Sequence, residues 1–164
     1  MARAASQWAI GLSSSSSGYS GKGRLANIPV ALGLPLSWMN LSGEVIQPLL
    51  NEFGASVDHL IVVHDDLDLP LGQMRIKFGG GTGGHNGLLS IIMALDADEF
   101  YRLKLGVGRP APGQETADYV LAPFGDSELS AVNSIVDRSV EALKCLVLDG
   151  PTEAMNRFNQ RIHE

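Results

Sequence analysis

The sequence predicts an α/β protein, a single three-layer α/β/α domain around a mixed, mostly parallel sheet. Three observations predict it. Leu60-Ile61-Val62-Val63 is a short apolar run between polar residues, the pattern of a strand buried on both faces. Met74–Phe78 and Tyr101–Val107 alternate apolar and polar residues, the pattern of half-exposed strands. Ser127–Leu148 places Leu129, Val132, Val136, Val140, Leu143 and Val147 near a 3.6-residue period, which marks an amphipathic helix. Strands alternating with helices imply layers of helix on sheet.

The elements follow in chain order. Met1–Ser17 is rich in small residues and ends in the serine run Ser13–Ser17. Such a stretch has little to bury, so residues 1–17 are expected to form a poorly ordered leader, in which only Trp8 and Ile10 could pack. Residues 18–164 then make the domain. Ile28–Leu34 reads as a strand closed by Pro35. Ser42 is placed to cap a helix through Phe53, with Pro48 as an irregularity inside it. Leu67–Gly72 is a loop, and Met74–Phe78 carries Arg75 and Lys77 on its outward face. A glycine loop, Gly79–Gly87, leads into an apolar helix over Leu88–Leu95. Arg102 and Lys104 are expected to point outward from the strand that follows. Gly108–Thr116 is a loop. Gly150-Pro151 ends the long helix, and Thr152 caps a last one with Met155, Phe158 and Ile162 on one face.

Composition narrows the function classes. The chain has 164 residues, 45% of them hydrophobic and 18% charged, enough apolar material for a sizeable core. Its net charge of −6 argues against general affinity for nucleic acid. The distribution qualifies that, because Gln73–Leu95 holds Arg75 and Lys77 and no acid, and Arg102, Lys104 and Arg109 follow. The single cysteine, Cys145, excludes an internal disulfide and favours a reducing, cytoplasmic setting; within its helix it reads as a small hydrophobe. The sequence has no Cys/His zinc pattern, no apolar run long enough to span a membrane and no signal-peptide core.

Several residues could carry chemistry. Asp65 sits where the Leu60–Val63 strand ends, and α/β proteins bind ligands beyond the carboxyl ends of their strands. It reads either as a group that orients a base or as a loop acid. Gly79–Gly87 has six glycines in nine positions, which lets backbone N–H groups approach a ligand, although neither a Walker loop nor a dinucleotide fingerprint is present. A mobile turn is the plainer reading. Asn86 ends that loop and Asn40 lies in a turn, and both are short neutral donor–acceptors suited to a carbonyl or a ribose hydroxyl. Among the histidines, His59 reads as structural and His163 as a surface residue. His64 and His85 read as packed or hydrogen-bonded structural residues. A direct dyad of His64 with Asp65 is disfavoured, since neighbouring strand residues face opposite ways. Without any further information, a phosphate-binding α/β domain built on the glycine loop fits these residues.

Five segments in order carry a more specific resemblance: Trp38-Met39-Asn40-Leu41-Ser42-Gly43, His64–Gly72 (HDDLDLPLG), Gly79–Leu88 (GGGTGGHNGL), Arg102–Pro110 (RLKLGVGRP) and Asp118-Tyr119-Val120-Leu121. From about Gly18 to its end the chain resembles the bacterial peptidyl-tRNA hydrolases. The resemblance implies a carboxylic ester hydrolase that releases peptide from the 3′ ribose of tRNA, using a histidine as general base oriented by an aspartate. That aspartate matches Asp65. Asn40 and Asn86 match the asparagines that hold the 3′ end, the carbonyl and the water, with Met39 and His85 beside them. Trp38 stands where an aromatic contact for tRNA is usual. Lys77 and Lys104 match basic positions facing tRNA phosphates. The resemblance implies tRNA as partner and no metal; no cofactor and no membrane are expected, and the chain is expected to be a monomer. The family begins with a strand, an Asn-Pro-Gly turn and a Thr-Arg-His-Asn segment that carries the base. Met1–Ser17 resembles none of these, so the chain is expected to be truncated at its N-terminus, with an apolar sheet edge exposed. His85 is then the alternative base, and a non-catalytic binder of the tRNA 3′ end is the alternative function.

Overall fold

The computed structural model describes residues 1–16 and 18–160. The expectations for Ile162 and His163 lie outside the described residues. The chain forms two compact units, Met1–Ile61 with Phe78–Tyr101, and Val62–Lys77 with Arg102–Glu164. The α/β class is as the sequence predicts. Its strands lie in two three-stranded sheets instead of one.

The first unit begins with helix α1 (Ala2–Gln7) and the strands β1 (Ser13–Ser15), β2 (Gly18–Leu25) and β3 (Ile28–Pro35), ordered β1-β2-β3. Both pairings are antiparallel, and Leu25 faces Ile28 across a tight turn. The expectation of a poorly ordered leader is corrected here. Ala4, Ala5 and Ile10 are buried, and Ile10 lies against Gly21 and Gly23 of β2. Serines pair in β1 because the ladder uses backbone groups, which composition does not reveal. The turn Met39–Leu41 leads into α2 (Ser42–Phe53), which ends at Gly54 in the left-handed conformation. Ser42 does not cap this helix. Its hydroxyl donates to the Met39 carbonyl at 2.8 Å and closes the preceding turn, leaving Leu41 at the cap position. Helix α3 (Asn86–Leu95) completes the unit and starts two residues before the apolar run suggested. It packs on α2 so closely that a Cβ on Gly43 would lie 2.2 Å from the Ser90 carbonyl oxygen.

The second unit is built on β4 (Ile61–Asp66), β5 (Met74–Phe78) and β6 (Tyr101–Gly106), ordered β4-β6-β5. Strand β4 is an edge of this sheet, and Val63 within it is 45% exposed, so burial on both faces does not hold. A continuous apolar run says that a strand can be covered on both faces; it does not supply the cover. On β5 the alternation holds, with Met74 and Ile76 buried and Arg75 and Lys77 exposed. On β6 it fails. Arg102 is 1% exposed, not outward, and Lys104 is only half-buried. The Arg102 side chain is taken out of solvent whole, as a long side chain with a fork of donors permits.

Helices α4 (Thr116–Leu121), α5 (Leu129–Leu148) and α6 (Pro151–Phe158) follow. The buried stripe of α5 is Ile135, Ser139, Val140, Ala142, Cys145 and Leu146, so of the six residues expected in its core only Val140 is buried. Small residues account for the rotation: Ala142 and Ala154 are fully buried where α5 and α6 pack together. Pro151, not Thr152, opens α6, because a first-turn proline gives up an N–H that has no helical partner. Asn159 ties the end of α6 to β5 by donating to the Ile76 carbonyl at 2.9 Å and accepting from the Ile76 N–H at 2.6 Å.

Two outcomes follow for stability. Asn159→Ala leaves both Ile76 backbone groups without these partners and should cost about 1–3 kcal/mol in denaturant unfolding. The Cys145 thiol is buried, and burial pushes its pKa up, with Asp149 adding to the rise. It should resist iodoacetamide in the native protein and react on unfolding.

Candidate functional site

Each unit holds some of the predicted site residues. In the first unit, Asn40 lies in the Met39–Leu41 turn and Asn86 is the first residue of α3. Both are exposed. Helix packing brings these two segments together. The Gly43 N–H donates to Ser90 Oγ at 2.9 Å, joining the start of α2 to α3. At Gly87 a Cβ would lie 2.5 Å from Met39 Sδ and 2.9 Å from His85 Cε1. Met39 and the His85 ring therefore close on the same glycine, one residue after Asn86. Trp38 stands beside them at 81% exposure, an indole that no core demands.

His85 holds the cap position of α3. Its Nδ1 accepts from the Leu88 N–H at 3.2 Å, which satisfies one of the unpaired donors of the first helical turn. The glycine loop before it takes positive φ at Gly79, Gly80, Gly83 and Gly84. Several of its N–H groups are spent inside the unit. Gly79 N–H donates to the Phe100 carbonyl, Gly84 N–H to Thr82 Oγ1 and His85 N–H to the Thr82 carbonyl. Those donors are turned away from a ligand, which weighs against a phosphate cradle.

In the second unit, Asp65 and Asp66 end β4. The His64 Nδ1 lies 2.7 Å from the Asp65 backbone carbonyl, so this nitrogen carries the proton, and Nε2 is buried. The ring addresses the Asp65 backbone. Lys77 is exposed on β5. Lys104 reaches Asp66, donating from Nζ to Oδ2 at 2.6 Å, and Asp66 Oδ1 accepts from the Asp68 N–H at 2.8 Å. Burial works to raise the Asp66 pKa, but the Lys104 hydrogen bond, the Asp68 N–H and the ammonium charge outweigh it and hold the carboxyl below its usual range.

Two residues of this neighbourhood escaped the sequence reading. Adjacent aspartates look alike in a sequence; what distinguishes Asp66 is Lys104 on β6, the strand beside β4. Tyr119 donates from its hydroxyl to the Val107 carbonyl at 2.6 Å, which pins α4 to the segment after β6. Gly106 allows the Leu69-Pro70 backbone to lie on β6, since a Cβ there would be 2.1 Å from the Pro70 carbonyl oxygen. Arg109 pairs with Asp68 at the surface. Among the described residues no three His, Cys, Asp or Glu side chains come together as a metal-binding group, and no helix is long and apolar enough to cross a membrane.

The architecture is that of an α/β protein with its polar groups at strand and helix ends, where such proteins bind their ligands. A model of the family "Peptidyl-tRNA hydrolase" matches residues 1–164. The chain is 43% identical over 142 residues to a peptidyl-tRNA hydrolase of Dehalococcoides mccartyi, covering 85% of this chain and 75% of the relative. It is 39% identical over 159 residues to that of Bacillus subtilis, covering 96% and 85%. The crystal structure of peptidyl-tRNA hydrolase from Acinetobacter baumannii superposes with a TM-score of 0.89 at 32% identity, covering 96% of this chain and 81% of that one. The chain belongs to the peptidyl-tRNA hydrolase family. The motifs place the start of the resemblance near Gly18, but the family match begins at Met1 and so takes in the serine-rich segment.

The Lys104–Asp66 pair has a defined acid signature. The Asp66 pKa is lowered by folding, so its contribution to stability is present above the unfolded value of about 3.9 and is lost as pH falls through the lower folded value. Lys104→Met should cost about 1–2 kcal/mol at neutral pH, between the worth of an exposed and a buried pair. It should also move the acid-unfolding midpoint to higher pH, read by circular dichroism.

Proposed function

We propose that this chain binds peptidyl-tRNA by its 3′ end and is built for hydrolysis of the ester between peptide and ribose. The observation that carries this reading is that the turn holding Asn40, next to the exposed indole of Trp38, packs on the helix that Asn86 opens. Two amides of that kind can hold a carbonyl and a ribose hydroxyl at once, and an indole face suits a base. Lys77 and Lys104 are the groups for phosphate, and Lys104 meets it from within its pair with Asp66. Asp65 orients the base or the attacking water. Met39 and His85 support the amides through Gly87. The family and its named relatives support this substrate. The lone buried cysteine fits a reducing, cytoplasmic setting.

The catalytic base is the restricted element. Ester hydrolysis at neutral pH needs a proton acceptor with a pKa near the working pH. Asp65 alone is a weak one, since carboxylates titrate near 4. His59 lies beside Ser56 and Asp58 in an exposed turn, the His64 Nε2 is buried, and His85 Nδ1 is held by Leu88. None of these three is presented as a general base. The second reading, a tRNA-end binder without turnover, draws its support from the same observation.

The purified chain assayed on peptidyl-tRNA separates the two. Binding should be salt-sensitive, and turnover should fall on the order of 10²–10⁴-fold below that of the B. subtilis relative, the usual worth of a general base. Turnover equal to the relative's and abolished by His64→Ala or His85→Ala would show that a base had been overlooked. Absence of tRNA binding at low salt would remove both readings.

A further inference from the structure

The His85 ring is the histidine closest in sequence to a substrate-binding residue, and its chemistry is constrained by its backbone. Its Nδ1 accepts the Leu88 N–H, the third donor of the first turn of α3. A nitrogen that accepts carries a lone pair, not a proton. The neutral ring with this bond therefore bears its hydrogen on Nε2. Using Nδ1 as a base would require its lone pair to leave Leu88, and Asn86 is the residue such a change would release. A side chain at Gly87 would lie 3.2 Å from the same Nδ1 and 2.5 Å from Met39 Sδ. The ring, the glycine and the thioether thus form one packed unit around the start of α3.

We propose that His85 is a positioning residue: it caps α3 through Nδ1 and thereby fixes the Asn86 amide for the substrate, and it does not act as the general base. A short side chain with an acceptor at the right distance can do the same work, as asparagine and serine do at helix starts. The inference rests on the reading of Asn86 as a substrate ligand.

The experiment uses the full chain with deacylated tRNA as probe and compares His85→Asn, His85→Ala and Asn86→Ala. The Nε2–H tautomer is read directly from the ¹⁵N shifts of the His85 ring in the free protein. Asparagine keeps an acceptor for Leu88 without an imidazole, so tRNA affinity should stay within about threefold of the parent; alanine removes the cap and should weaken binding about tenfold, close to the effect of Asn86→Ala. The Leu88 amide should exchange with solvent faster in His85→Ala and not in His85→Asn. If His85→Asn binds as poorly as His85→Ala while its Leu88 amide stays protected, the ring itself meets the substrate and the proposal is wrong. A proton on Nδ1 in the free protein also overturns it. Should the parent chain not bind tRNA at all, the functional reading fails, and with it the positioning role; the ring shifts and the Leu88 exchange then still decide whether His85 is the cap.

Discussion

The candidate site of the first unit depends on a close approach between two helices at a glycine. Gly43 sits so near the Ser90 carbonyl that no Cβ fits, and its N–H is taken by Ser90 Oγ. That contact sets where α2 begins relative to α3, and so sets the turn carrying Asn40 against the residue that opens α3. Any other side chain at position 43 would displace backbone, not the end of a flexible chain, and a packed interior absorbs such a shift poorly. Ser42, Met39 and Gly87 extend the same contact outward. Recognition by a short asparagine demands this economy, because the amide has little reach of its own.

The second unit uses a different device. Its polar groups are fixed by charge and by backbone hydrogen bonds at the ends of strands. Asp66 is held on one side by Lys104 and on the other by the Asp68 N–H, so the turn after β4 starts from an anchored carboxylate. An anchored aspartate beside Asp65 limits the backbone freedom of both. On the proposed reading Lys104 would meet a phosphate from within its existing pair with Asp66, so part of the new attraction would replace an old one.

The sequence made legible what periodicity and motif order encode. β3, the half-exposed face of β5, the extent of α2 and the family itself were all readable. What failed was burial. Arg102 looked solvent-facing because alternation says which residues share a face and nothing about what covers it. The α5 stripe was misplaced because Leu and Val drew the reading, while the contact is made through Ala142, Ser139 and Cys145. The serine-rich start was misread since a ladder of backbone groups leaves no mark in composition. Around the candidate site the sequence offers candidate residues and not their commitments: that His85 spends Nδ1 on a helix start and Lys104 spends its charge on Asp66 depends on distances no spacing rule contains.

Strand β4 carries Ile61, Val62 and Val63 along an edge of its sheet and ends in Asp65 and Asp66. Apolar, β-branched edges are where copies of a chain begin to stack on one another while folding. Two adjacent carboxylates at the end of that run would be brought side by side with their counterparts in every added copy, and like charges in register repel. The pair at the strand's end is thus placed as a gatekeeper. Neutralising both aspartates would be felt first in how much protein stays in solution, before any assay of the site is attempted.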